Sequence, residues 1–354
     1  MMNWLLLFVP AAIGVEAFAP ERHLLVFVTS SLAILPLAGW MGRATEELAE
    51  HLGEGVGGLL NATFGNAAEL IISLVALRAG LYDVVKASIA GSIIGNILLV
   101  LGAAMLAGGM RHAEQHFNPA GARSQATMLT LAAIGLVLPA AFQSVSGTTA
   151  AGLGQLSVAI SVVLLLAYLL SLAYALVTHR ALFVGSSAPQ ESAGKGSVSR
   201  AVAILAAATV AIAWMSEIMV GAIEPTALEL GLSNVFVGVF LVAILGNAAE
   251  HATAVTAALK DRMDLALSIA LGSSVQVALF VAPILVFASL VLGPGPMNLA
   301  FPAGLVLTVL LSVLIAGQVA GDGRSDWLKG AQLLAVYLIL AITFFLLPSA
   351  VPHG

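Results

Sequence analysis

The sequence contains no cysteine, few charged residues and few aromatic residues. Without cysteine, the chain forms no disulfide, thiolate metal site or cysteine nucleophile, although its compartment stays open. Charged residues make up 9% of the chain, against about 25% in soluble globular proteins. This is too little polar surface to cover a water-soluble fold of 354 residues. The net charge is −5 and no basic run occurs, so nucleic acid is not expected as a partner.

Long apolar segments take the place of the missing charge. Hydrophobic residues make up 60% of the chain, and the mean hydropathy is +1.06. A helix needs about 20 apolar residues to cross a bilayer. Eleven segments meet this requirement: 3–19, 24–42, 56–78, 84–108, 125–145, 153–178, 200–220, 232–258, 265–291, 299–318 and 327–347. The sequence therefore predicts an all-α integral membrane protein with about eleven transmembrane helices embedded in the lipid bilayer.

Lys and Arg residues are distributed unequally between the two sides of these segments. With a cytoplasmic N-terminus, only Arg22, Arg78 and Lys86 lie outside. Ten others then lie on the cytoplasmic side: Arg43, Arg111, Arg123, Arg180, Lys195, Arg200, Lys260, Arg262, Arg324 and Lys329. Because loops rich in Lys and Arg stay in the cytoplasm, the N-terminus is predicted to be cytoplasmic and the C-terminus to lie outside.

One five-residue string occurs twice inside apolar segments. Gly65-Asn66-Ala67-Ala68-Glu69 returns as Gly246-Asn247-Ala248-Ala249-Glu250, and 250 − 69 = 181 residues separate the copies. Each repeat then holds five helices, an odd number, so the second repeat must be inserted upside down relative to the first. The predicted parts are an N-terminal transmembrane helix at 1–20, repeat 1 at 21–178, a cytoplasmic linker at 179–199 and an inverted repeat 2 at 200–348.

Each copy of the string places a carboxylate in hydrocarbon. Such a placement costs about 2.5–3.5 kcal/mol even on insertion scales. Glu69 and Glu250 are both placed in hydrocarbon within the same local sequence, so the two acids are expected to have a function together. Two related halves with one embedded acid each favour a secondary transporter with its ion site between the repeats. The alternative is that each Glu only forms hydrogen bonds between helices.

An asparagine accompanies each acid. Asn66 precedes Glu69 by three residues, and Asn247 precedes Glu250 in the same way, which puts each pair on one helix face. Carboxylate, carbonyl and amide oxygens are the ligands that Ca²⁺ prefers. Gly and Asn are weak helix formers, so the Gly-Asn pair is expected to loosen the helix and free backbone carbonyls toward the site.

A second polar helix follows each string. Gly91-Ser92 matches Gly272-Ser273, again 181 residues apart, while Asn96 and Gln276 lie one turn beyond. These residues put hydroxyl and amide oxygens on one face of each helix. A membrane Ser often bonds only its own backbone or a neighbour, and the duplication is what favours a functional role.

Three further residues are candidates outside this pattern. His251 follows Glu250, and Leu70 stands at its counterpart position; the imidazole can relay protons near neutral pH or only pack around the acid. Glu46 and Glu217 are predicted near cytoplasmic helix ends, where they line an access path or are simply solvated.

These motifs resemble the Ca²⁺/H⁺ exchangers of the cation/Ca²⁺ antiporter superfamily. Residues 65–77, Gly91-Ser92 and 96–102 are similar to the first conserved repeat of that family. Residues 246–251, Gly272-Ser273, Gln276 and 279–281 are similar to the second, and the resemblance covers nearly the whole chain beyond the first helix. In one departure, Val277 stands opposite Asn96, so the two halves do not offer equivalent ligands.

The resemblance implies an eleven-span fold of the short prokaryotic type, expected in the cell inner membrane. It implies that Glu69 and Glu250 are the central Ca²⁺ and proton carriers. By the same resemblance, the supporting polar groups would be Asn66, Asn247, Ser92, Ser273 and Gln276. Apart from the resemblance, the candidates for proton relay or access are His251, Glu217, Glu46 and Asn96.

The sequence thus predicts a transporter, not an enzyme. It would export Ca²⁺ in exchange for H⁺ by alternating access, without a cofactor, because both ions are transported substrates. One alternative is a Na⁺/Ca²⁺ exchanger of the same superfamily, whose Thr-Ser-Leu-Pro-Glu-like strings differ from the string at Gly65 to Glu69. The other is a cation channel. A homo-oligomer is left open.

Overall fold

The computed structural model describes residues 3–179 and 197–346, and most of these residues are helical. The α-helices are α1 (Phe8–Phe18), α2 (His23–Phe64), α3 (Ala67–Arg78), α4 (Tyr82–Ile94), α5 (Leu101–Arg111), α6 (Pro119–Gln143), α7 (Ala150–Ala173), α8 (Val198–Leu230), α9 (Asn234–Phe236), α10 (Ala243–Leu259), α11 (Met263–Gln276), α12 (Ala282–Ser289), α13 (Ala303–Asp322) and α14 (Trp327–Phe345). A 3₁₀ segment at Asn3–Leu7 leads into α1. Two short strands, β1 (Gln115–His116) and β2 (Arg324–Ser325), pair antiparallel.

Nine stretches of the described chain are long and apolar enough to cross a membrane. They are His23–Leu52, Tyr82–Arg111, Pro119–Gln143, Ala150–Thr178, Val198–Leu230, Asn234–Leu259, Met263–Ser289, Ala303–Asp322 and Trp327–Phe345. Each corresponds to one of the eleven predicted segments. The two remaining segments, 3–19 and 56–78, correspond to shorter helices at Asn3–Phe18 and Ala67–Arg78. The prediction of an all-helical membrane protein is confirmed. The predicted linker at 179–199 falls mostly outside the described residues.

The boundary predicted between the second and third segments is wrong. A break was expected between residues 42 and 56, whereas α2 runs unbroken for 42 residues from His23 to Phe64. The stretch Glu46–Leu52 is polar but consists largely of Glu, Leu and Ala, which are good helix formers. Charge therefore ends the apolar run here without ending the helix.

π-helical segments lie at related positions in the two halves of the sequence. Gly95–Val100 joins α4 to α5, and Val277–Val281 joins α11 to α12. Their first residues are 277 − 95 = 182 positions apart, within one residue of the spacing between the repeated strings. Single π-helical turns are frequent at functional sites. The same backbone irregularity thus follows the same polar motif twice.

The chain forms two compact units, each built from separate stretches of sequence. The first comprises Met1–Ser88, Gln190–Ala249 and Ile342–Gly354. In its described part, α2 packs along α8, while α1 packs on α2 and α3 on α8. Gly238 is a point of close approach, because an added Cβ there would lie 2.6 Å from the Cβ of Ala87.

The second unit comprises Ile89–Pro189 and Glu250–Ala341. Here α13 and α11 pack on α6, and α12 packs on α7. α14 comes close to α5 at Gly330, where an added Cβ would overlap the backbone nitrogen of Leu106 and lie 2.7 Å from the carbonyl oxygen of Gly102. Small residues at such crossings let membrane helices approach each other at backbone distance.

A hydrogen-bonded clamp in the second unit holds the turn between α10 and α11. The buried Gln115 of β1 donates from Nε2 to the carbonyl oxygen of Ala258 and to Oδ1 of Asp261, both at 2.9 Å. The backbone N–H of Asn118 donates to Oδ1 of Asp264 at 2.6 Å. Asp261 has a φ of 56°, a conformation that non-glycine residues adopt mainly in turns. The clamp fixes the chain just after the helix that carries Glu250.

Candidate functional site

Glu69 is a buried carboxylate at the start of a short helix. It lies in the first turn of α3 and is 2% exposed. α2 ends at Phe64, Gly65 and Asn66 form a turn, and Asn66 has non-helical backbone angles of φ −101° and ψ 20°. The expected loosening of the helix by the Gly-Asn pair is confirmed in this half. It gives Glu69 the positive end of a helix dipole, where a carboxylate is favoured.

Asn247 and Gly246 of the second string lie against Glu69 within the first unit. The side-chain Nδ2 of Asn247 donates to Oε2 of Glu69 at 3.5 Å and to the carbonyl oxygen of Ala243 at 3.1 Å. A Cβ added to Gly246 would lie 3.3 Å from the Cβ of Glu69. Asn66 and Asn247 are themselves 3% and 2% exposed. The acid of the first string thus accepts a hydrogen bond from the amide of the second.

The second Gly-Asn pair does not break its helix. α10 runs continuously from Ala243 to Leu259 through Gly246 and Asn247. The expectation of a loosened helix is therefore wrong in this half. The side-chain amide of Asn247 donates to the carbonyl oxygen of Ala243 one turn earlier.

Glu250 lies in the second unit with Ser273. Its carboxylate shares a hydrogen bond with the side chain of Ser273, a residue of α11 that is 5% exposed. Its Oε2 is buried and has no hydrogen-bond partner among the residues that the structure describes. One carboxylate oxygen is therefore held by a hydroxyl, while the other is available to a cation or a proton.

His251 contacts Asn96 in the same unit. The ring Nε2 of His251 lies 3.3 Å from Oδ1 of Asn96. Asn96 is 1% exposed and belongs to the π-helical segment Gly95–Val100. Its Nδ2 is buried and makes no hydrogen bond within residues 3–179 and 197–346. The two residues are 155 positions apart, and no sequence pattern predicts their contact.

The other two supporting groups lie on the polar helices as expected. Ser92 is 2% exposed in α4, and Gln276 is the last residue of α11 and half-buried. Both belong to the second unit. Ser273 and Glu250 meet there, as do Asn96 and His251, so the second unit carries most of the hydroxyl and amide candidates.

Glu46 and Glu217 are exposed. Glu217 accepts a hydrogen bond from Nη2 of Arg78 at 2.7 Å within the first unit. The sequence predicts Arg78 on the outer side of the membrane and Glu217 near the cytoplasmic end of its helix, and these two predictions conflict. An ion pair this short puts both at the same end, so the two placements cannot both hold. α8 extends from Val198 to Leu230, which leaves Glu217 well away from its start.

Lys86 was missed as a candidate by the sequence analysis. It lies in the first unit on α4 with 9% exposure, although it was counted only as a loop charge. The available signal was a basic residue within the predicted segment 84–108. A buried cation in a membrane helix is expensive, so Lys86 adds a fixed charge to the helix that carries Ser92.

The arrangement is suited to a hard cation that alternates with protons. An ionised carboxylate out of water must be neutralised by a bound cation or a proton. Within the described chain, no three His, Asp or Glu side chains converge as a metal site. Further ligands must therefore be amide, hydroxyl or carbonyl oxygens, which Ca²⁺ accepts readily.

Comparison with known proteins identifies the family. The family model described as "Sodium/calcium exchanger protein" matches residues 22–177 and 200–346. A Ca(2+)/H(+) antiporter of Synechocystis is 45% identical over 92% of this chain and 92% of its own length. The Ca(2+)/H(+) antiporter ChaA of Bacillus subtilis is 44% identical over 91% of this chain and 92% of its own length.

Solved structures show the same fold. The structure of native YfkE has a TM-score of 0.83 at 39% identity and covers 97% of this chain and 99% of its own. The H⁺/Ca²⁺ exchanger CAX has a TM-score of 0.71 at 15% identity, with 96% and 90% covered. At that identity, the second match shows the fold alone.

Proposed function

Because this chain belongs to the family of sodium/calcium exchanger proteins, we propose that it is a membrane antiporter that exports Ca²⁺ in exchange for H⁺. The relatives at 45% and 44% identity are Ca²⁺/H⁺ antiporters, and the similarity runs over nearly their whole length. The protein is accordingly a transporter and not an enzyme, with Ca²⁺ and H⁺ as its substrates.

The observation that carries the proposal is the environment of Glu69. It is a carboxylate with 2% exposure, and the amide of Asn247 from the second copy of the string donates to it at 3.5 Å. Such an acid holds its ionised form only with a counter-charge. A divalent cation can supply this counter-charge and a proton can neutralise the acid instead, and the exchange of these two ions is the reaction proposed.

Electrostatics couples the two ions. When Ca²⁺ is bound, ionised carboxylates are favoured and protons are excluded; when Ca²⁺ leaves, protons must take its place because bare carboxylates are costly in this environment. Ca²⁺ can then leave the carboxylates only when protons or another cation take its place, and protons can leave only when a cation takes theirs. An inward proton gradient can therefore drive Ca²⁺ out of the cytoplasm.

Glu69 and Glu250 are proposed as the residues that carry Ca²⁺ and protons. The proposal rests on their duplicated positions and on the free Oε2 of Glu250. Asn66, Asn247, Ser92, Ser273 and Gln276 are proposed as the supporting oxygen and amide groups. The hydrogen bonds of Asn247 to Glu69 and of Ser273 to Glu250 support that role.

The proposed architecture is one N-terminal helix at 1–20 and two inverted five-helix repeats at 21–178 and 200–348. The repeated string and the two matching π-helical segments support the repeats. The Lys and Arg count supports a cytoplasmic N-terminus and linker, with the C-terminus outside. A prokaryotic inner membrane is the proposed location.

The test is ⁴⁵Ca²⁺ uptake into liposomes that contain the purified protein. An imposed pH gradient alone is expected to drive accumulation, and a Na⁺ gradient at constant pH is not. Uptake driven only by Na⁺ would replace the proposal with a Na⁺/Ca²⁺ exchanger, which the family description also names. Single-channel currents without ion coupling would indicate a channel instead.

A further inference from the structure

The contact between His251 and Asn96 joins two polar residues that each have an apolar counterpart in the other half of the chain. Shifting by the 181-residue spacing places Leu70 opposite His251 and Val277 opposite Asn96. Both counterparts are aliphatic and cannot hydrogen-bond through their side chains. In the folded second unit the two unmatched residues contact each other at 3.3 Å. The differences between the halves at these two positions are therefore linked, because the two polar side chains contact each other.

The direction of this hydrogen bond fixes how Asn96 presents its amide. Its Oδ1 accepts, so the Nε2–H of His251 is the donor. The carbonyl end of the amide is then occupied by the imidazole. The opposite end, Nδ2, is buried and unpartnered among the described residues. A buried donor left without an acceptor destabilises the protein, so this amide is expected to meet an acceptor during transport.

An unpaired acceptor exists in the same unit. Oε2 of Glu250, the residue before His251, is buried and lacks a hydrogen-bond partner in the described chain. An amide N–H₂ suits a carboxylate oxygen or a water molecule, and it cannot ligate a cation. The hydrogen bond from the imidazole uses one of the two lone pairs of Oδ1 and draws electron density from this oxygen, so Asn96 offers a cation a weaker oxygen ligand than its sequence suggests.

We infer that His251 is a positioning residue that holds the side-chain amide of Asn96 so that its N–H₂ group is presented as a hydrogen-bond donor and its oxygen is a weakened ligand of the cation. The inference rests on the proposed Ca²⁺/H⁺ exchange. Its chemical consequence is weaker cation binding, because a hard cation binds less tightly to an oxygen that already accepts a hydrogen bond. Weak binding favours release and hence turnover.

The test compares variants in proteoliposomes by apparent KM for Ca²⁺ and by kcat. His251→Leu introduces the residue of the matching position and frees Oδ1 of Asn96. We expect KM to fall roughly two- to twelvefold, the range that a net hydrogen bond of about 0.5–1.5 kcal/mol corresponds to, and kcat to fall with it. His251→Gln keeps a side-chain N–H donor and is expected to restore both values toward those of the unmodified protein.

The deciding variant is the double replacement His251→Leu with Asn96→Val, which makes both positions match the other half. The fall in KM on replacing His251 is expected only while Asn96 is present. An equal change with and without Asn96, or a His251→Gln variant that behaves like His251→Leu, would show that His251 only packs and would overturn the inference. Should His251→Leu not fold, His251→Met carries the same comparison.

A second readout does not depend on turnover. The shift in melting temperature that Ca²⁺ causes in detergent reports binding alone, and it is expected to grow in His251→Leu but not in the double variant. If the unmodified protein exchanges no Ca²⁺ for H⁺, the proposed function fails; if it exchanges normally and the variants act additively, only the role of His251 fails.

Discussion

Asn247 donates from Nδ2 to Oε2 of Glu69 at 3.5 Å, so an amide of the second copy of the repeated string contacts the acid of the first. The two residues are 178 positions apart. Each copy therefore does not build a separate local pocket. The first unit already combines residues from both halves of the sequence, which is the arrangement expected when a duplicated segment forms one functional site.

The two repeated acids give the first prediction. Glu69→Gln and Glu250→Gln should each abolish Ca²⁺/H⁺ exchange while the protein stays folded, because Gln keeps the volume but carries neither charge nor an exchangeable proton. Flux into proteoliposomes and the melting temperature are the measurements. Glu16→Gln is the control, since Glu16 is an exposed acid on α1, outside both repeats. Near-normal flux in either variant would remove that Glu from the site.

The contact between Asn247 and Glu69 gives the second prediction. Asn247→Ala should raise the apparent KM for Ca²⁺ about five- to tenfold, the effect of losing a hydrogen bond of about 1–1.5 kcal/mol to a carboxylate. Asn234→Ala is the matched control, because Asn234 also donates to a Glu, Oε1 of Glu224, at 3.5 Å, but on an exposed surface. An equal change in KM for both variants would mean that the contact with Glu69 has no special role.

Much of this site could be predicted from the sequence, because burying a charge in an apolar segment is conspicuous and the segment is duplicated. Glu69, Ser273 and Glu250 lie in the helices where the pattern placed them, whereas Asn66 lies in the turn before α3. The contacts that these site residues make with each other could not be predicted from the sequence. The contact of His251 with Asn96 links positions 155 apart, and only tertiary packing determines it.

Helix ends were the weaker part of the prediction, for a physical reason. Hydropathy marks where a chain leaves hydrocarbon, whereas backbone propensity decides where a helix stops. In α2 the end of the apolar run and the end of the helix lie at different places, because the helix continues through Glu46 to Phe64. The two Gly-Asn pairs show the same point, because one ends a helix before α3 and the other lies inside α10. Identical strings thus fold differently in different surroundings.

Packing between α5 and α14 gives the third prediction. Gly330→Ala should destabilise the protein by about 1–3 kcal/mol, the usual range for inserting a methyl group into filled space, because its Cβ would overlap the backbone of Leu106. Thermal unfolding in detergent measures this. Gly317→Ala on α13 should be neutral or slightly stabilising, since a Cβ there meets nothing within 4 Å. Equal stability of the two variants would contradict the close approach.

The orientation in the membrane gives the fourth prediction. The chain has no cysteine, so single cysteines can be added to a clean background. Ser146→Cys, in the exposed turn after α6, should react with an impermeant thiol reagent in intact cells. Ser187→Cys, in the linker predicted from the sequence, should be protected until the membrane is opened. The reverse labelling pattern would invert the proposed orientation and with it the direction of Ca²⁺ transport.

Competition between the two ions gives the last prediction. Protons and Ca²⁺ require the same carboxylate oxygens in opposite protonation states. The apparent affinity for Ca²⁺ should therefore fall as the pH falls. The apparent dissociation constant of Ca²⁺ should rise by up to about tenfold per unit decrease in pH for each proton displaced. Equilibrium binding of Ca²⁺ between about pH 5 and pH 8, the range in which a cell's proton gradient operates and His can also titrate, measures the effect.

Two variants separate the contributions to this competition. In Glu250→Gln, one acid can no longer be protonated, so the Ca²⁺ dissociation constant, measured by equilibrium binding because this variant is not expected to exchange ions, should depend less steeply on pH. Glu16→Gln is the control, because Glu16 is an exposed acid outside both repeats; the pH dependence of this variant should match that of the unmodified protein. Protons would not be the coupling ion if Ca²⁺ affinity were constant across this range while a Na⁺ gradient drove flux. That pair of results would favour Na⁺/Ca²⁺ exchange, because only a bound cation other than the proton could then neutralise Glu69 after Ca²⁺ leaves.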